Sequence, residues 1–186
     1  LGDRLLGDGD GATLQVEAQP YGEGPRHKLN IWVPTGTRKT DKLPVLVWLY
    51  GGGWYSGQRD DYGFAGRAFA KQGFIVVIPD YRKVPQVHFP AFLDDGAEAV
   101  AWVEDNIAQF GGDPQRLAFM GHSAGAYEAI MLALDSKRLV AAGADPANVK
   151  AAVGLSGAYD FYPFTSKRSL DAIEAWPRPD ETQPIT

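Results

Sequence analysis

The hydrophobic positions along the chain fall into three patterns. "TLQVEA" (13–18) and "KLNIWV" (28–33) alternate apolar with polar residues, the period-2 signature of strands with one covered face. "PVLVWLY" (44–50) and "GFIVVIP" (73–79) are continuously apolar and rich in β-branched residues, as strands covered on both faces are. "RLAFMG" (116–121) and "KAAVGLS" (150–156) extend the series to six predicted strands. Between them the period changes. Helices are predicted over 60–72, 91–110 and 124–138, and the second carries Val100, Val103, Ile107 and Phe110 along one face. Gly111-Gly112 ends that helix, and Asp113-Pro114 turns the chain into the next strand.

Continuously apolar strands alternating with helices predict an α/β fold: a mostly parallel sheet with helices on both faces, opening with a more antiparallel edge. In such sheets ligands sit at the carboxyl ends of the strands. No repeat, low-complexity tract or linker interrupts the chain. The proline-rich, polar tail "WPRPDETQPIT" has no regular pattern and reads as the least committed part.

With 186 residues, 45% of them hydrophobic and 12% aromatic, the chain suits one domain over 1–186 with a sizeable core. The formal net charge of −5, without any Lys/Arg run, argues against nucleic acid or anionic membrane as a partner. Absence of cysteine excludes disulfides, thiolate zinc sites and a Cys nucleophile. No apolar stretch reaches the ~18 residues of a membrane span, and the opening "LGDRLLGDGDG" lacks the order of a signal peptide. A soluble protein is expected, cytoplasmic or periplasmic/secreted, with the compartment open. The start at Leu1 points to a processed or trimmed terminus.

Chemistry concentrates at "LAFMGHSAGAYEA" (117–129). Gly121-His122-Ser123-Ala124-Gly125 matches G-x-S-x-G directly after a predicted strand and directly before a predicted helix, the context in which that motif becomes a nucleophile elbow. So sharp a turn leaves no room for side chains two positions either side of the serine. The competing reading is a helix N-cap serine. A serine that attacks a carbonyl needs donors for the resulting oxyanion. "LYGGGWYSG" (49–57) follows a predicted strand and exposes backbone N–H groups, so Gly52, Gly53 and Ala124 are the expected oxyanion donors.

These motifs, together with "PDYRKVPQVHFPAFLDD" (79–95), "FGGDPQRL" (110–117) and "GLSGAYDF" (154–161), resemble the esterase/lipase branch of the α/β-hydrolase fold that carries an HGGG-type loop. The similarity runs from residue 13 to the end. Within that branch the chain looks like small carboxylesterases and the relatives of feruloyl esterases and kynurenine formamidases. The resemblance implies a small-molecule ester substrate, an acyl-enzyme at Ser123 and no cofactor, with an amidase of the formamidase kind as the alternative from the same fold. A noncatalytic binding protein on the hydrolase scaffold is the alternative from another class.

Two departures stand out. Tyr50 occupies the position where the family usually has His, which changes how the loop is held and leaves its backbone donors in place. More seriously, the family order places the acid and then the His after the serine, and the three histidines, His27, His88 and His122, all precede Ser123. Six predicted strands, where the fold ordinarily has eight, repeat the discrepancy. The expectation is an amino-terminal portion lacking the last two strands and with them the triad Asp and His, nearly inactive alone. A second polypeptide segment, or a second copy of the chain, would then cover the open sheet edge. Asp160 is the one candidate acid within the chain. Trp54 and Tyr127 are candidate substrate-binding residues, with Tyr55, Tyr62 and Phe64 as further aromatics near the serine. Asp80, Arg82, Asp94 and Asp95 could form a charged cluster bracing the elbow or could equally stand as separate solvated charges, and no His/Asp/Glu spacing suggests a metal.

Overall fold

The computed structural model describes residues 11–174 and 176–184. Six strands form one sheet in the order β1-β2-β4-β3-β5-β6. β1 (Ala12–Pro20) and β2 (Lys28–Pro34) are joined antiparallel, and β2 is antiparallel to β4 (Ile75–Pro79). From β4 onward, β3 (Leu43–Leu49), β5 (Gly112–His122) and β6 (Val149–Leu155) run parallel. The antiparallel edge and the parallel centre are those expected from alternating and continuous apolar runs.

Both faces of the central strands are buried. Val45, Val47, Leu49, Ile75 and Val77 join one core, while Leu46, Trp48, Tyr50, Val76 and Ile78 join the other. The first core is covered by α2 (Ala91–Asn106) through Ala97, Val100 and Val103, and the second receives Ala65 and Ala70 of α1 (Gly63–Ala70). α3 (Ala124–Leu134) sends Ala129 and Leu132 to one core and Tyr127 and Met131 to the other.

The predicted helix over 124–138 is two helices. The chain breaks at Asp135 (φ −94°, ψ 76°) and restarts as α4 (Ser136–Ala142), because α3 packs on β5 and β6 whereas α4 packs on α2. The predicted helix over 60–72 likewise opens with a 3₁₀ turn at Arg59–Tyr62 before α1 begins. Gly111, at φ 89°, ends the helical stretch after α2 as its sequence indicated.

The tail is more committed than its composition suggested. A short helix, α5 (Lys167–Ser169), leads into a wider helical turn at Leu170–Glu174, and Ala172 and Ile173 are buried. Phe89 donates its backbone N–H to the Ala172 carbonyl (2.8 Å), Tyr127 donates its hydroxyl to the Thr182 carbonyl (2.8 Å), and Phe161 donates to the Gln183 side chain (2.8 Å). Tertiary partners, invisible in local sequence, dock these residues. Among the described residues no helix is long and apolar enough to cross a membrane.

Candidate active site

Sheet register brings three loops to one place. Leu49 pairs with Gly121, and Gly121 with Gly154, so β3, β5 and β6 end level with one another. The glycine loop, the serine turn and the segment from Ser156 leave the sheet side by side, at the carboxyl ends where ligands bind in folds of this kind.

Ser123 sits at φ 55°, ψ −118°, between β5 and α3, and its side chain makes no cap bond to the helix. Strain at a non-glycine residue and a hydroxyl left out of helix capping both argue against the N-cap reading. The flanking glycines are required by contact. A Cβ on Gly121 would lie 2.1 Å from the Gly125 carbonyl oxygen, and a Cβ on Gly125 would lie 2.1 Å from that of Leu49. The Ser123 N–H donates to the Leu155 carbonyl (2.9 Å), tying the turn to β6.

The glycine loop wraps over this turn. A Cβ on Gly51 would lie 3.1 Å from the Ser123 Cβ, and Gly52 (φ 142°) and Gly53 (φ 59°) adopt backbone angles that side chains rarely tolerate. Among the described residues no group accepts from the backbone N–H of Gly52, Gly53 or Ala124. A cavity of about 830 Å³ opens here, and its wall includes all three residues, Ser123 and His122.

Tyr50 anchors the loop from below. Its ring stacks on Tyr81 (4.8 Å) and Tyr62 (5.4 Å), its hydroxyl donates to Asp80 Oδ1 (2.6 Å), and Arg26 donates to the same hydroxyl (3.0 Å). Burial, then the Asp80 charge, pushes the Tyr50 phenol well above its usual range, so it stays a donor. Tyr81 donates to the Tyr50 carbonyl (3.0 Å), fixing the backbone where the loop begins. Lys83 donates to the Gly57 carbonyl at the loop's far end, and burial, then the Arg26 charge, lowers its pKa to about 8.

Asp80, Arg82, Asp94 and Asp95 form neither one cluster nor lone solvated charges but three separate ion-paired groups. Asp80 pairs with Arg26 and Arg59, Asp95 with Arg82 and His27, and Asp94 with Arg138. Asp95 is fully buried and Asp94 half-exposed on α2, while Asp80 follows β4, so the three carboxylates meet different cations. His27, Asp95 and Glu98 do place ligand atoms within 4.8 Å of one another. The Asp95 oxygens also accept from the Arg82 backbone and guanidinium.

The remaining candidates divide. Trp54 borders the cavity, with its buried ring against Phe92 and edge-on to Tyr127. Tyr127 does not reach the wall. It is fully buried behind Trp54 because its hydroxyl finds its acceptor in Thr182, which differs from the substrate-binding role expected for it. Tyr62 and Phe64 border the cavity, whereas the Tyr55 hydroxyl is engaged by Asp171 (2.6 Å). His88 Nδ1 bonds the Asp171 carbonyl (2.5 Å), and His27 lies 3.2 Å from Asp95. Asp160 is exposed and lies outside the cavity wall.

Two residues of interest gave no signal in the sequence. Glu128, one turn into α3, is fully buried with neither carboxylate oxygen bonded, and burial, then Asp95, raises its pKa well above the usual range. Arg168 borders the cavity from a stretch without periodicity. Only the folded chain reveals either placement.

Comparison with known proteins agrees with this architecture. The chain is 35% identical over 145 residues to a probable isoprenylcysteine alpha-carbonyl methylesterase, ICMEL1, of Oryza sativa subsp. japonica, covering 75% of this chain and 34% of that protein. It is 46% identical over 86 residues to carboxylesterase NlhH of Mycobacterium tuberculosis, covering 46% and 27%. The chain thus spans about a third of the length of the curated relatives it matches. Esterase B of Lactobacillus rhamnosis superposes with a TM-score of 0.73 at 21% identity, over 88% of this chain and 54% of that one. Propionate-bound esterase 2 of Thermogutta terrifontis gives 0.72 at 23%, over 90% and 65%. Residues 29–183 match the family model BD-FAE, and the chain belongs to that family of esterases with the α/β-hydrolase fold.

Proposed function

We propose that this chain carries the nucleophile and oxyanion donors of a serine carboxylic-ester hydrolase. Ser123 Oγ attacks the ester carbonyl, the N–H groups of Gly52, Gly53 and Ala124 hold the oxyanion, and loss of the alcohol leaves an acyl-enzyme that water cleaves. The observation that carries this reading is the strained Ser123 turn, its hydroxyl free of the helix and bordering a cavity walled by those donors. A cap serine would show none of these features.

The base is expected from polypeptide that completes the sheet beyond β6. Among the described residues β6 has a partner on one side only, and Val153 and Leu155 on it are 45% and 39% exposed. His27 and His88 are engaged elsewhere, and His122 borders the same cavity as Ser123 but, among the described residues, shares no hydrogen bond with it. Without base and acid, Ser123 retains only what the oxyanion donors and substrate binding supply, several orders of magnitude below a complete triad. The 186 residues alone are therefore expected to be nearly inactive.

A fluorophosphonate label, read by peptide mass, tests this on the full-length protein and on residues 1–186. Stoichiometric labelling at Ser123 in the full-length protein, abolished by Ser123→Ala along with aryl-ester turnover, is the expected result. A full-length protein whose Ser123 resists the label, or whose turnover survives Ser123→Ala, removes the esterase reading. Turnover of a formyl-amide in preference to an aryl ester would reassign the same machinery to amide hydrolysis.

A further inference from the structure

The cavity beside Ser123 contains a cation that the hydrolytic machinery does not use. Arg168 of α5 lies against the glycine loop, its Cδ and Nη1 each 3.0 Å from where a Cβ on Gly53 would stand. The absence of a side chain at Gly53 leaves room for that contact. Among the described residues Arg168 has no carboxylate or carbonyl partner. The nearest carboxylate along the chain, Asp171, accepts from the Tyr55 hydroxyl instead. The other charged side chain on the wall, Asp61, accepts from Gln58 (3.1 Å).

The backbone that carries this arginine is held in place. The segment carrying it is pinned by the Tyr55–Asp171 bond, by the Phe89 N–H to the Ala172 carbonyl, and by the burial of Ala172 and Ile173. Ser166 and Ser169, with Oγ atoms 2.7 Å apart, border the cavity beside it. Arg168 is exposed to solvent at the cavity wall, and a guanidinium presents five donors. One that faces a cavity unpaired, flanked by hydroxyls, fits a planar anion that accepts two parallel N–H bonds.

We infer that Arg168 forms an anion subsite and that the ester taken at Ser123 carries a carboxylate on its acyl part. This rests on the esterase reading of Ser123 and adds the substrate class. Gly51 packs on Ser123 and Gly53 packs on Arg168, so at most ~7 Å of backbone separates the two contacts. An acyl chain with about four methylene groups between ester carbonyl and carboxylate is of that order of length. The substrate class is the hemi-ester of a short dicarboxylic acid. Because a guanidinium stays charged at every physiological pH, the preference is independent of pH and weakens with salt.

The test compares mono-4-nitrophenyl adipate with 4-nitrophenyl hexanoate on the full-length protein, as the ratio of their kcat/KM values. Arg168→Gln is expected to lower that ratio roughly 10- to 100-fold, the range of one charge-assisted bidentate contact, and Arg168→Lys to lower it less. A wild-type ratio unchanged by Arg168→Gln overturns the subsite. A second measurement needs no turnover: binding of monomethyl adipate and dimethyl adipate to Ser123→Ala protein, followed by NMR at the arginine Nε signals. The monoanion should bind tighter and move the Arg168 signal. If it does so while neither nitrophenyl ester is hydrolysed, the esterase reading fails and the subsite stands. If both esters are hydrolysed and the two adipates bind alike, the subsite fails and the esterase reading stands.

Discussion

Gly125→Ala probes the serine turn through backbone contact alone. The added Cβ would lie 2.1 Å from the Leu49 carbonyl oxygen, 2.4 Å from its carbon and 2.6 Å from the Tyr50 oxygen. Ordinary contact begins at 3.4 Å, so the start of α3 must retreat from β3 by about 1.3 Å. All three obstructing atoms are backbone in the sheet centre or at the root of the glycine loop, and none can swing aside. Overpacking of this kind costs about 1–3 kcal/mol, and rigid neighbours place it at the upper end. With an ordinary urea slope, that is a midpoint lowered by about 1–2 M. The retreat also carries the Ala124 N–H away from the Gly52 and Gly53 donors, and a 1 Å misplacement costs on the order of 100-fold in rate. Urea unfolding and the rate of fluorophosphonate labelling at Ser123 read the two effects separately. Gly143→Ala is the control, since Gly143 has φ 91° but nothing within 4 Å of its would-be Cβ. It should cost about 1–2 kcal/mol of backbone strain and leave labelling untouched. A Gly125→Ala protein with wild-type urea midpoint and labelling rate would refute the close helix–strand approach on which the site is built.

Glu128, held neutral by burial and then by Asp95, binds its proton in the folded protein at pH values where the unfolded chain releases it. Stability from this group is full below the unfolded value near ~4.3 and falls by about 1.4 kcal/mol per pH unit until the raised folded pKa is reached. Glu128→Gln should flatten that decline in urea titrations from pH 5 upward, and parallel curves for the two proteins would contradict it. Asp80→Asn leaves Arg26 and Arg59 without their shared carboxylate and weakens the acceptor for the Tyr50 hydroxyl. A loss of about 3–5 kcal/mol in thermal or urea unfolding is expected. Tyr127→Phe removes the bond to the Thr182 carbonyl, costs about 1 kcal/mol and should speed amide exchange around 179–184 more than in the sheet. Uniform exchange rates would mean that this bond does not hold the tail.

The family fold and the serine turn were legible in the sequence because both depend on local order. Continuous apolar runs at 44–50 and 73–79 specify strands buried on both faces, and glycines at fixed offsets from Ser123 and at 51–52 mark close backbone approaches that a side chain would obstruct. The break at Asp135 was not legible, since the helical pattern continues through it and the packing of α3 and α4 decides. Nor was the docking of the tail, whose partners Phe89 and Tyr127 lie more than fifty residues earlier in the chain.

Ionic partners were the least predictable part. Of the four charges within 80–95 only Arg82 and Asp95 pair with each other, and the other partners, Arg26, Arg59, His27 and Arg138, come from elsewhere in the chain. The sequence by itself determined the strand series, the serine turn and the glycine loop, because steric fit and hydrophobic period act over a few residues. Tertiary structure alone decided that Tyr127 is buried, that Tyr50 anchors the glycine loop and that Arg168 faces the cavity. Each of those placements depends on a contact between segments distant in the chain, and no local pattern encodes such a contact.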